Sequence, residues 1–402
     1  MTTSDEQQAD LTGRVPEHAD LLVVGGGPAA LAAATGYRDH GGEGTVVLVS
    51  DDDTLPYFRP PLSKDYLRGE TEEADLLIEP ESAYEDADIE ARLNVMVTAL
   101  DAGERTAMLS DGARLTYEHC VLATGAAPKP LPVPGADDPR VAYLRTLDSA
   151  RTLRTAAEAV RSAVVAGSGF IGCEAAASLA RRGLDVTVVS TEELPQQARL
   201  GPDVGERIAG WLRDEGVTLV GGAEVEAIED AQLVRISGRE PVRGDLVLVA
   251  AGIDPQSTLA AATEAEIEND RVVVDEHMRS SVPGLYAAGD VAYARNGLAN
   301  RHLVAEHWGE ADTMGGIAGA TAAGADASWA QAPGLWSVVG DHTLKYAAWG
   351  DGFDDVEFVD HGNGAFAAWY SAEGVLVGVL THEADDDYER GSKLVEEGAP
   401  TR

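Results

Sequence analysis

Apolar runs that end in glycine turns and lead into alanine-rich stretches recur along this chain. In the first, Leu21-Leu22-Val23-Val24 has the length and branching of a buried parallel strand, and Ala29 to Tyr37 reads as a helix. Gly25-Gly26-Gly27-Pro28 joins them. The pattern returns at Val164-Val165-Ala166, followed by Gly167-Ser168-Gly169-Phe170-Ile171-Gly172 and a helix over Ala175 to Arg182. Each unit continues into another apolar strand, Thr45 to Ser50 in the first and Val186 to Ser190 in the second. Strand, turn, helix and strand in that order predict an α/β protein with two parallel sheets.

Between and after these units the periodicity shortens. Strands are expected at Val95 to Val97, Thr106 to Leu109 and Cys120 to Ala123, with an Asp111-Gly112 turn. In the second unit a helix is expected over Val204 to Glu215, then a strand at Val217 to Val220 and short alternating strands through Ile236. Asp245 to Ala250 forms another apolar strand, Leu285 to Ala288 a further one ending at Gly289-Asp290, and Gly309 to Ala323 a helix. The last eighty or so residues change character. Trp336, Tyr346, Trp349, Phe358, Phe366, Trp369 and Tyr370 lie on short strands broken by Gly-Asp and Asn-Gly turns, which predicts a small sheet domain. The run Asp385-Asp386-Asp387 is read as a solvated loop. With 402 residues and about 150 per domain, several domains are expected.

The glycine turns carry chemistry. Gly25 permits a tight turn, Gly27 lets the backbone approach a pyrophosphate, and small Ala30 lets helix and strand pack closely. The helix start over Pro28 and Ala29 then turns free N–H groups and the positive dipole end toward phosphates. Asp51, at the carboxyl end of the next strand, can accept hydrogen bonds from ribose hydroxyls. The second turn repeats the arrangement with Gly167, Gly169 and Gly172, opening the helix with Phe170 and Ile171. Two dinucleotides are therefore implied. Where the second adenosine ribose should sit, Ser190 replaces the usual acid and Glu192 follows two residues on. Glu192 and Glu193 would repel a 2'-phosphate, and the next basic residue, Arg199, lies beyond Pro195, so NADH is favoured over NADPH.

Composition narrows the classes. The formal charge of -39 excludes nucleic acid and anionic membrane as expected partners, since both require clustered cations. Only Lys64, Lys129, Lys345 and Lys393 are lysines, a scarcity that suits a high-salt cytoplasm or a GC-rich genome alike. No apolar run approaches the ~18 residues of a membrane span, and Met1 to Glu17 lacks the basic start and apolar centre of a signal peptide, so a cytoplasmic protein is expected. Cys120 and Cys173 each sit in a buried-looking run and read as packing thiols. His302, Glu306 and His307 lack a further spaced ligand, and no metal site is expected.

The motifs in order resemble those of the FAD-dependent pyridine nucleotide-disulfide oxidoreductases, in the ferredoxin and rubredoxin reductase branch, and also apoptosis-inducing factor. The likeness runs from Ala19 to about Leu380. It implies two Rossmann-like dinucleotide-binding domains of glutathione reductase type plus a small C-terminal α+β domain. The implied division is an FAD-binding domain at 19–127 and 245–324, an NAD(H)-binding domain at 128–244, and a C-terminal domain at 325–402 covering the flavin.

The likeness also assigns residues. Along FAD it places the proline-stiffened loop Leu55 to Lys64, with Arg59 and Pro60, then Ala123, Thr124 and Gly125 at the next strand end, and Gly289 with Asp290 at the ribitol. It adds Val97, Arg145 and Gly252, and aims the helix start at Glu306, His307 and Trp308 toward the flavin pyrimidine. Phe170 and Trp336 flank the ring; a carboxylate usual two residues beyond Trp336 is Val338 here. Lys64 and Glu174 would form an ion pair beside flavin N5. The implied activity is NADH-dependent flavin reduction, followed by electron delivery to a ferredoxin or rubredoxin. The alternative is a regulatory flavoprotein like apoptosis-inducing factor, and the chain is expected to be a monomer or homodimer.

Overall fold

A computed structural model describes residues 17–401. The polar stretch Met1 to Glu17 therefore lies outside the described residues except for Glu17. The first glycine turn sits in a seven-stranded sheet, where His18–Val24 pairs in parallel with Val46–Val49 on one side and Arg114–Leu122 on the other. The run Leu21-Leu22-Val23 is wholly buried, as a continuous apolar strand covered on both faces must be. Leu285–Ala287 pairs in parallel with the end of Arg114–Leu122, so a strand far along the sequence completes the same sheet. Val97–Asp101, Thr106–Leu109 and Arg114–Leu122 are linked by antiparallel pairing.

Glycines set how closely the helices over this sheet approach. The helix Pro28–Asp39 crosses the helix Trp308–Ala322, and a Cβ added at Gly319 would lie 2.0 Å from the Ala33 carbonyl oxygen. One at Gly315 would lie 2.3 Å from the Ala29 oxygen, and one at Gly36 would lie 2.6 Å from the Gly316 oxygen. Backbone therefore meets backbone, which fixes the start of the later helix beside the first glycine turn.

The second sheet is parallel throughout, in the order Thr218–Val220, Asp185–Val189, Ser162–Ala166, Leu246–Val249, Ala142–Tyr143. Here the structure differs from the expected division. The strand assigned to the return into the first domain, Leu246–Val249, pairs with Ser162–Ala166, and the chain crosses back only afterwards, where Ile253–Pro255 pairs with Ala126–Pro128. A buried apolar run states that it is a central strand but not to which sheet it belongs.

The C-terminal sheet is antiparallel, in the order Gly334–Val339, His342–Ala348, Val375–His382, Ala365–Ala372, Asp355–Gly362. It packs against the second unit through Leu344, Phe366 and Leu380, which share a core with Leu200, Val204 and Leu212. The acidic run expected as a loop is instead the first turn of the helix Asp385–Glu396. Carboxylates at a helix start are favoured by the dipole, and Asp387 also holds Arg390 one turn on at 2.8 Å. Among the described residues, no helix is long and apolar enough to cross a membrane.

Candidate functional site

The two glycine turns open onto one cleft of about 1810 Å³, whereas a pocket for a single small ligand is roughly 300–1,000 Å³. The site residues assigned from sequence line it, with the exceptions of Ala30 and Glu193. Ala30 is wholly buried beneath the turn and serves packing, as a residue in the third glycine position should.

The turns have the geometry that pyrophosphate binding needs. Gly25 has φ +136°, and a Cβ there would sit 2.1 Å from the Ala123 oxygen. Gly167 has φ +118°, and its Cβ would sit 2.2 Å from the Ala250 oxygen. At Gly169 a Cβ would meet nothing within 4 Å, leaving the helix start Phe170–Arg181 open to a ligand. Arg59 lies over Gly27, with Nε and Nη2 each 4.0 Å from where a Cβ would be, and donates from Nη1 to the Arg145 carbonyl at 3.1 Å.

Arg145 in turn pairs with Asp290 at 2.5 Å. That pair engages Oδ2 of Asp290, while among the described residues Oδ1 carries no hydrogen bond. Among the described residues, Arg145 Nε and Trp308 Nε1 are buried donors without partners, both on residues lining this half of the cleft. Orphaned donors beside a cleft suit an oxygen- and nitrogen-rich ligand. Asp51 is exposed on the cleft wall, and its neighbour Asp52, missed from sequence, accepts from Tyr57 Oη at 2.8 Å. His307 caps the helix Trp308–Ala322, and the surrounding protein, with help from Arg199, pushes it down to about 4. The imidazole is therefore neutral at neutral pH, and the positive end here is the helix start itself. Glu306 is paired with Arg271.

Lys64 and Glu174 meet between the turns. Lys64 Nζ lies 2.6 Å from Glu174 Oε2, with 11% and 5% of the two side chains exposed. Lys64 also donates to the Pro60 carbonyl at 2.9 Å. Glu174 accepts from Ser63 Oγ at 2.6 Å, from Ser337 Oγ at 2.7 Å and from the Val338 amide at 3.3 Å. Val338 thus contributes through its backbone. A buried ion pair of this kind persists only when its remaining lone pairs and protons are also matched, which they are here.

In the second half of the cleft, Ser168 and Ser190 join hydroxyls at 2.6 Å, and Glu192 Oε1 accepts from the Ala198 amide at 3.2 Å. Glu193 does not line the cleft; its carboxylate approaches Gly222. The second carboxylate there is Glu224, which sequence reasoning missed because it follows a different strand, Thr218–Val220. Arg199 lies with its guanidinium 5.8 Å from the Phe170 ring centre. Cys120 and Cys173 are buried and unpaired, in different cores, and burial pushes both thiols up.

A profile of the pyridine nucleotide-disulphide oxidoreductases matches residues 19–327. The chain belongs to this family. It is 35% identical over 276 residues to rhodocoxin reductase of Rhodococcus erythropolis, a match covering 68% of this chain and 64% of that protein. To rubredoxin-NAD(+) reductase of Pseudomonas putida it is 33% identical over 330 residues, 81% and 85% of the two chains. Among solved structures, a putidaredoxin reductase in covalent complex with putidaredoxin superposes with a TM-score of 0.89 at 28% identity, covering 96% of this chain and 94% of that one. Both glycine turns and the Lys64–Glu174 pair lie within the matched family segment.

Proposed function

We propose that this member of the family is an FAD-dependent NADH oxidoreductase that passes electrons to an iron-sulfur protein of the ferredoxin or rubredoxin type. The observation that carries the reading is a buried Lys64–Glu174 pair set between two glycine cradles in one cleft. Bound FAD supplies hydride acceptance and stepwise electron release, chemistry that no side chain here provides.

The chain's own part is binding, orientation and electrostatics. Gly25, Gly27 and Arg59 hold the flavin nucleotide's pyrophosphate, Asp51 its adenosine ribose, and Asp290 with Arg145 the ribitol. The open start of Trp308–Ala322 faces the pyrimidine and favours negative charge there. Lys64 would hold its ammonium beside the reacting edge, aimed by Glu174. Gly167 and Gly169 would receive the NADH pyrophosphate, with Gly172 closing the turn, where a Cβ would lie 2.2 Å from the Gly167 oxygen, and Phe170 would shield the flavin face and yield it to nicotinamide. We assign the flavin domain to 19–127 with 251–324, the NADH domain to 128–250 and the covering sheet to 325–402. A cytoplasmic setting suits the two free thiols.

Trp336, 47% exposed and on the cleft wall, marks the side from which electrons leave. Anaerobically reduced protein should hand electrons to cytochrome c rapidly only when a [2Fe-2S] ferredoxin or a rubredoxin is added. Turnover that is slow and indifferent to every such protein would favour the regulatory alternative instead.

The same reading predicts nucleotide choice. Four basic side chains line the described cleft, Arg59, Lys64, Arg145 and Arg199; Arg199, the one nearest in sequence to Glu192, packs its guanidinium against the Phe170 ring, and among the described residues it makes no hydrogen bond to Ser190, Glu192 or Glu224. Stopped-flow mixing should show NADH reducing the flavin at least roughly ten-fold faster than NADPH at low nucleotide, the scale of one unmatched charge. Glu192→Arg should narrow that ratio. Equal rates in the unaltered protein would mean that Ser190 and Thr191 hold the 2'-phosphate.

A further inference from the structure

Glu174 divides its carboxylate between two parts of the chain. Oε2 faces the proline-rich loop, where Lys64 Nζ and Ser63 Oγ each approach to 2.6 Å. Oε1 faces the C-terminal sheet, where Ser337 Oγ lies at 2.7 Å and the Val338 amide at 3.3 Å. The loop does not depend on Glu174 for its position, because Ser178, one turn along the same helix, donates to the Ser63 carbonyl at 2.8 Å. What the sheet contributes is the orientation of the carboxylate.

We propose that Ser337 is a positioning residue for flavin reduction: its hydroxyl fixes Glu174 so that the carboxylate's other oxygen holds the Lys64 ammonium, making the C-terminal sheet part of the redox site. Ser337 is 1% exposed, and its hydroxyl is a strong donor to a buried anion. Without it Oε1 keeps only the longer Val338 contact, and the terminal torsion of a glutamate is broad, so the carboxylate can turn away. Alternation along a strand gives the arrangement a second consequence. Trp336 and Ser337 are neighbours on Gly334–Val339, so one faces out at the cleft wall while the other faces in to Glu174. A shift of this strand reaches the ion pair within one residue. The proposal rests on the reading of Lys64 and Glu174 given above.

Lysine scarcity supplies a direct test. Selective 15N labelling gives four lysine side-chain signals, of which only Lys64 belongs to a buried residue, and Lys64→Arg assigns it. In the intact protein the Lys64 ammonium should exchange protons with water slowly. Ser337→Ala should accelerate that exchange by roughly ten-fold and slow flavin reduction by NADH by a similar factor, with little change in the KM for NADH. Ser337→Thr, which keeps the hydroxyl, should restore both, and Ser337→Cys should lie between. In a Glu174→Gln background, Ser337→Ala should add nothing further.

An unmoved Lys64 signal in folded Ser337→Ala or Ser337→Cys protein, beside normal bleaching by NADH, overturns the role of Ser337 alone. Faster ammonium exchange in a protein that NADH does not reduce at all supports the positioning role and overturns the oxidoreductase reading instead.

Discussion

Lys64→Ala should slow flavin reduction by NADH by roughly 100-fold while FAD stays bound, because the change removes one partner of a buried pair worth about 3 to 5 kcal/mol when broken. The Lys64 ammonium lies 2.6 Å from Glu174 and is nearly shielded from solvent, so screening does little to weaken it. Without the ammonium, negative charge gained on reduction loses its compensation, and the flavin potential should fall. FAD should remain because Gly25, Gly27, Arg59 and the helix start at Trp308 still hold it. Glu174→Ala should damage the same step, leaving Lys64 with Pro60 and Ser63 as its partners. The double variant should be less impaired than the product of the single effects, since both changes remove one interaction. Rapid-reaction measurements on all four proteins decide this. Simple multiplicativity, or two unaltered rates, would show that the pair does not serve the reacting edge.

The second large effect separates the two nucleotides. Gly25→Ala and Gly167→Ala introduce the same methyl group into equivalent turns, each at positive φ and each within 2.2 Å or less of a carbonyl oxygen. Strain at such positions is about 1 to 3 kcal/mol before any clash is counted, so an affinity loss of roughly 100-fold is expected at the affected turn. Gly25→Ala should purify with little flavin. Gly167→Ala should purify yellow and be reduced normally by dithionite, yet require far more NADH. Absorbance of the purified proteins and NADH titrations read both outcomes. A yellow Gly25→Ala protein beside a colourless Gly167→Ala protein would reverse the assignment of the two cradles.

These turns were legible in the sequence because their cause is local. A Val-rich strand, glycines at fixed offsets and an alanine-rich helix determine one another within about ten residues, and the structure places them with boundary shifts of up to five residues, the largest at the start of Phe170–Arg181. Sheet membership is not local, which is why Leu246–Val249 was read as a strand but placed in the wrong sheet. The acidic run at Asp385 failed differently. Charge was weighed as solvation, whereas the same carboxylates at a helix start are a capping preference.

At the site, the pairing of Lys64 with Glu174 across 110 residues of sequence was implied by the resemblance to the family, not by the residues themselves. That resemblance gave no sign that Ser337, 163 residues from Glu174, completes the carboxylate's bonds, nor that Glu224 rather than Glu193 lines the second half of the cleft. Those contacts depend on how separate units pack, and glycines such as Gly319 that set the packing distance carry no signal of their partner.

One bound FAD should accept hydride from NADH in this cleft, and anaerobic titration of the purified protein with NADH, followed by acid release of the cofactor, decides whether it does. The expected result is a yellow protein whose visible flavin absorption bleaches with about one equivalent of NADH, and FAD alone in the acid supernatant. Absorption that NADH leaves unchanged, or FMN in the supernatant, would contradict it.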